Sequence, residues 1–267
     1  MIYCLGDSHV SFFSGVDKIQ PVWPACSEDV LPWLRTFHLG PVLAYNLIRE
    51  ESTTRGREKA WDVLHNSVPS GSRVMLCFGE IDCRAHMLLQ LERQKKTLAE
   101  IVAVCIERYA QFAKEVSDAG FEVMLYNAIP SKRGRPDKRR HRDEYVTIGS
   151  CRLRNQATQL FNLYLQRACR ENGWLFLDNF DCFVFKNGLT DSWYFMDKIH
   201  LAQRAMPATL NRLGKLIPAL EIPPQIMPSL PSSWQRWKCY CKGRRERIGK
   251  ELDKAVRWIL KNDHNMK

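Results

Sequence analysis

Four short segments carry polar residues that could attack an ester. Gly6-Asp7-Ser8-His9 follows the first apolar run and Gly40-Pro41 the second. Gly79-Glu80-Ile81-Asp82-Cys83-Arg84 follows the third, and Asp197-Lys198-Ile199-His200 stands before an apolar helical stretch starting near Leu201. Acyl transfer needs a hydroxyl made nucleophilic by a base, and a carboxylate to orient that base. Ser8, His200 and Asp197 supply one of each. The Asp-x-x-His spacing lets one turn present both side chains on the same side. A serine at a strand-to-helix turn is exposed, and backbone N–H groups beside it can hold an oxyanion. Gly40 adds an N–H with no side chain to block approach. Each signal is common by itself; their fixed order at successive strand ends is not.

The elements that must position these residues show in the hydrophobic pattern. Apolar runs at 2–5, 36–39, 73–78, 121–126 and 174–177 predict strands, and their continuity suits a parallel sheet buried on both faces. Between them, residues 97–118 place Leu98, Ile101, Val102, Cys105, Tyr109, Phe112 and Val116 on one helical stripe, with Gly120 as its stop. Residues 151–171 repeat the pattern, with Gly173 following. Alternation of strand and helix predicts a three-layer α/β/α sandwich around a mostly parallel sheet of about five strands. Ligands bind such sheets outside the C-terminal strand ends, where the polar segments fall. The domain is expected over 1–217. A Pro-rich linker or strap follows at 218–235, and a basic amphipathic helix at 236–267, with Ile248, Leu252, Ala255, Val256 and Ile259 on its stripe.

These motifs resemble the SGNH, or GDSL-like, hydrolase superfamily. Gly6-Asp7-Ser8 is similar to its first block, Gly40 to the glycine of the second, Gly79 to Asp82 to the third, and Asp197 to His200 to the fifth, over roughly residues 1–215. The resemblance implies a flavodoxin-like SGNH fold with Ser8 as nucleophile and His200 and Asp197 completing the triad. It also implies oxyanion N–H groups from Ser8 and Gly40. The family's block-three asparagine does not map, since Ile81 stands in its place and its side chain donates no hydrogen bond. Arg84 is the candidate substitute donor; the alternative is that it pairs with Glu80 or Asp82 and stiffens the loop. The Gly-Glu-Ile-Asp-Cys-Arg wording resembles a bacterial subgroup associated with polysaccharide-related genes, which implies glycan ester substrates. His9, Glu80, Asp82, Arg133 and Arg135 are candidate substrate contacts. Asp7 reads as a turn or cap residue, His38 as a core histidine and His86 as a surface one.

Charge adds a second theme. Of the formal +11, residues 131–142 carry +6 and residues 236–261 carry +7, so the remainder carries −2. Such blocks fit an anionic ligand or a membrane surface, and equally a solvated loop and helix face. Nucleic acid ranks low, because basic and aromatic residues do not interleave. Neither a leader peptide nor an apolar run of about 20 residues is visible, so the protein is expected to be cytoplasmic, with peripheral membrane contact through the basic blocks. Several of the ten cysteines, among them Cys77, Cys105 and Cys169, sit in apolar periodic runs and read as core residues. Cys239 and Cys241 form a lone C-x-C, too little for a zinc site. The expected activity is serine-dependent hydrolysis of an acyl ester, such as an O-acetyl group on a carbohydrate, needing no metal or organic cofactor. Acyl transfer by the same triad and a non-catalytic binding module are the alternatives.

Overall fold

The alternation folds as a five-stranded, all-parallel sheet of order β2-β1-β3-β4-β5 in a computed structural model that describes residues 1–133 and 147–225. The strands are β1 Ile2–Gly6, β2 Leu34–His38, β3 Arg73–Cys77, β4 Glu122–Tyr126 and β5 Leu175–Leu177. This order is the flavodoxin-like arrangement, whose switch point lies between β1 and β3. The helices are α1 Gly56–Asn66, α2 Met87–Arg93, α3 Leu98–Asp118, α4 Cys151–Asn172 and α5 Met206–Leu216.

Strand periodicity sorts the core onto two faces. On one, Leu5, Val74, Leu76, Val123 and Leu125 pack against α1, α3 and α4 through Val63, Leu64, Phe112, Phe161 and Leu165. On the other, Ile2, Cys4, Met75, Cys77, Met124 and Tyr126 meet α5 and the 3-10 segment Ser8–Ser14 through Leu210, Leu213, Val10 and Phe13. The three-layer sandwich is thereby closed. Helix α3 starts at a capping box in which Thr97 accepts the Glu100 N–H and the Glu100 carboxylate accepts the Thr97 N–H. Helix α4 starts at Ser150 and stops at Gly173 with φ +71°.

Three differences from the sequence pattern bear on the site. The last helix begins at Met206 rather than near Leu201, because Leu201 bridges Phe195 and Gln203–Ala205 forms a 3-10 turn. Block three continues into a π-helical turn, Asp82–His86, that no apolar period announces. Residues 218–225 run back over α5, where the Asn211 side chain exchanges hydrogen bonds of 3.0 and 2.7 Å with the Gln225 backbone. Arg135, the rest of the basic loop beyond Arg133, Cys239, Cys241 and the expected helix at 236–267 lie outside the described residues. Among the described residues, no helix is long and apolar enough to cross a membrane.

Gly79 fixes how block three leaves the sheet. Its φ is +113°, and a Cβ there would stand 2.5 Å from the Phe161 ring. Gly79→Ala combines about 1 kcal/mol of backbone cost with about 1–3 kcal/mol of overpacking. We expect a loss of roughly 2–4 kcal/mol, read as a lowered denaturation midpoint with unchanged slope; an unchanged midpoint would refute this reading of the turn.

Candidate active site

The position of Ser8 starts with packing. A Cβ on Gly6 would lie 2.5 Å from the Cys77 carbonyl oxygen, so only glycine lets β1 end against β3 here. Asp7 then caps the 3-10 segment by accepting the His9 N–H at 2.9 Å, as its cap reading expects. Ser8 becomes the first residue of that segment at the C-terminal edge of the sheet. Beside it, Leu39 N–H donates to the Gly6 carbonyl at 2.8 Å and holds the Gly40 turn, φ +87°, against β1. Among the described residues, neither the Ser8 nor the Gly40 N–H has a hydrogen-bond partner. Two donors are thus left available where the turns after β1 and β2 meet.

The late segment meets this turn. Ser8 Oγ lies 2.8 Å from His200 Nε2, and His200 Nδ1 lies 2.7 Å from Asp197 Oδ2. Asp197 Oδ1 accepts the Ile199 and His200 N–H groups, both at 2.8 Å, so the Asp-x-x-His spacing closes as one turn. Burial would raise the Asp197 carboxyl. The bonds from the His200 ring and the two N–H groups outweigh it and hold the acid well below the usual carboxylate range. An ionised Asp197 keeps the His200 proton on Nδ1, which leaves the Nε2 lone pair facing the serine hydroxyl. Gln203 secures the approach: its N–H donates to Asp17 and its side-chain amide to the Phe12 carbonyl, at 2.6 and 2.8 Å.

Beside Ser8 lies a buried polar cluster. His9 Nε2 is 2.9 Å from Glu80 Oε2, and Arg84 Nε donates to Glu80 Oε1 at 2.8 Å. Burial raises Glu80, but Arg84 and His9 together bring it down to about 2. Arg84 therefore makes the Glu80 pairing expected as the alternative to an oxyanion role. Asp82 corrects the expected substrate contact: it is fully buried, and its carboxylate accepts Ala44 N–H, Tyr45 N–H and the Cys105 thiol. It shapes the turn after Gly40 instead of meeting a ligand. Glu80 is likewise buried and committed to His9 and Arg84. His38 is buried and bonded to the Gln20 carbonyl at 2.7 Å. The His86 ring stands half-buried, 5.3 Å from that of Tyr45.

The basic loop starts at the site's edge. Lys132 Nζ donates to the Asp197 carbonyl at 2.6 Å, and the exposed Arg133 guanidinium lies 5.3 Å over the Phe185 ring. Fully buried Arg154 donates to Ser131 Oγ and the Lys132 carbonyl on one flank of the loop, and to the Gly149 carbonyl on the other. It thereby holds the two ends of the basic loop together. Sequence reasoning missed Arg154, Gln203 and Lys59, whose ammonium donates to the Leu39 carbonyl at 3.1 Å beside Gly40. Each lies on a helix or turn whose spacing carries no motif.

No family model and no curated protein matches the chain. Among solved structures, it is similar to a carbohydrate acetylesterase from Sinorhizobium meliloti at 14% identity, over 82% of this chain and 98% of that one, with TM-score 0.49. It is similar to a catalytic mutant of an acetylxylan esterase from Geobacillus stearothermophilus at 12% identity, over 81% and 93%, with TM-score 0.47. It is also similar to a phospholipase A1 from Streptomyces albidoflavus at 14% identity, over 80% and 98%, with TM-score 0.44. Likeness of this strength assigns neither residues nor substrate.

Asp7 offers a test of the buried cluster by pH. Burial, with Glu80 and Asp82 adding to it, raises its carboxyl well above the usual value, against the His9 N–H and Arg84. The folded protein thus keeps a proton that the unfolded chain releases above about pH 4. Stability is lost as pH rises through that window. Asp7→Asn keeps the cap acceptor and removes the ionisation. It is expected to raise the melting temperature at pH 7–8, by about 2–4 °C per kcal/mol relieved, with the gain vanishing near pH 4. A gain independent of pH would contradict the assignment.

Proposed function

We propose that the protein is a serine hydrolase of acyl esters, acting on O-acetyl groups of a carbohydrate. The observation that carries this reading is the unbroken line Ser8 Oγ–His200–Asp197, with hydrogen bonds of 2.8 and 2.7 Å. Ser8 Oγ attacks the acyl carbonyl while His200 Nε2 takes its proton. The oxyanion is held by the Ser8 and Gly40 N–H groups. Collapse of the tetrahedral intermediate breaks the C–O bond to the alcohol, which leaves with the proton from His200. Water then attacks the acyl-serine with His200 as base, releasing the carboxylic acid and restoring Ser8.

Ile81 is buried and adds no side-chain donor. Losing one oxyanion donor costs about 10²–10³ in rate, so turnover is expected to be modest. Arg84 acts one step removed, by fixing Glu80. Lys132 and Arg133 stand where they could meet an anionic group of the substrate, and Arg135 extends the same basic run. Acyl transfer to a sugar hydroxyl uses the same residues and differs only in the acceptor. A non-catalytic binding module is favoured by Ile81 and by the basic loop and tail.

A serine-reactive fluorophosphonate decides among these classes. Wild type is expected to be labelled, and Ser8→Ala not. On p-nitrophenyl acetate and acetylated sugars, Ser8→Ala should lose at least about 10³-fold in kcat and Asp197→Asn about 10²–10⁴-fold. Well-folded wild type that resists labelling would sink the enzyme reading. Acetylated product formed on an added sugar in preference to free acetate would turn it toward transfer.

A further inference from the structure

A second imidazole stands against the first. His9 is 7% exposed, and its ring centroid lies 4.8 Å from that of His200 with the planes 39° apart. His9, Glu80 and Arg84 form a continuous buried line, each side chain at most 6% exposed. Glu80 is ionised and only accepts, so His9 must present its proton at Nε2 and keep a lone pair at Nδ1. That Nδ1 is buried and has no hydrogen-bond partner. Burial lowers the affinity of His9 for a second proton by more than Glu80 raises it, and His200 and Arg84 lower it further. His9 is therefore a neutral ring locked in one tautomer, next to a ring that must become charged.

The base needs such a neighbour. The Asp197 side chain is 47% exposed and that of His200 12%, so the dyad stands near the surface. Bonds at Nδ1 and Nε2 fix two points of the imidazole but leave its plane free to turn about the line between them. A misplacement of about 1 Å can cost about 10²-fold in rate.

We propose that His9 is a positioning residue for His200: its ring, fixed by Glu80 and Arg84, is the wall that keeps His200 in line between Ser8 Oγ and Asp197 Oδ2. The proposal rests on the reading of Ser8 as nucleophile, and it gives block three a role that an asparagine would not fill. Glu80 and Arg84, set one turn apart at the π-helical turn, act on the base through His9 rather than on the substrate.

The test uses full-length His9→Ala, His9→Phe and Glu80→Gln proteins, read in two ways. One is kcat and KM on p-nitrophenyl acetate; the other is the low-field proton resonance of the His200–Asp197 hydrogen bond. For His9→Ala, kcat is expected to fall about 10–100-fold with KM within about 3-fold, and the resonance to broaden away. His9→Phe keeps a ring face and should restore most of kcat. Glu80→Gln frees the tautomer and should cost several-fold with a weakened resonance; it decides the matter if His9→Ala does not fold. A folded His9→Ala with unchanged kcat and resonance overturns the proposal, as does a His9→Phe protein no better than His9→Ala. If wild type proves inactive, the esterase reading fails separately, and the resonance alone decides whether His9 holds His200.

Discussion

One hydrogen bond, Ser8 Oγ to His200 Nε2, joins residues 192 positions apart, and every chemical role assigned here depends on it. Closing so long a loop costs conformational entropy that local contacts cannot repay. The repayment comes from the sheet. With β1 inside the sheet, flanked by β2 and β3, the Gly6–Ser8 turn is fixed by both neighbours at once. The late segment is then brought in by α5, packed on the same face as the Ser8–Ser14 segment, and pinned by Gln203 to Phe12 and Asp17. The meeting of Ser8 with His200 is a consequence of which face α5 covers.

Much of this was legible in the sequence. All five strands showed as apolar runs because a parallel sheet is buried on both faces, and their ends shifted by only one or two residues. Helices α3 and α4 showed because each runs over 20 residues with a continuous stripe. Ser8, Asp197 and His200 were legible as types in an order, and the Asp-x-x-His turn as a spacing. The short segments were not: Ser8–Ser14 and Asp82–His86 are too brief to show a period. Nor were the tertiary partners. Asp82 looked like a pocket carboxylate because its type suits one, but the N–H groups that claim it come from Ala44 and Tyr45, nearly 40 residues away. Arg154 lies on α4 at a spacing that marks nothing, yet it is fully buried among carbonyls at the loop's base.

The departure at block three reads differently once the structure is on the page. Ile81 points its apolar side chain into the core, while Glu80 and Arg84 on either side are buried together with His9. Buried ionised groups are tolerated only when paired, and removing one partner leaves a costly charge behind. Glu80, Arg84 and His9 therefore stand or fall as a unit, with the His9 ring set against that of His200. In the proposed mechanism the polar groups of this loop support the base, and the oxyanion is left to the backbone N–H groups of Ser8 and Gly40.

The most direct check of the central contact is rapid quenching of the wild-type protein during turnover of p-nitrophenyl acetate, followed by peptide mass spectrometry. The account expects a transient acetyl group on the peptide that contains Ser8, absent when His200 is replaced by alanine. Acetate release at full rate with no acyl group on Ser8, or with the same adduct formed equally fast without His200, would contradict it.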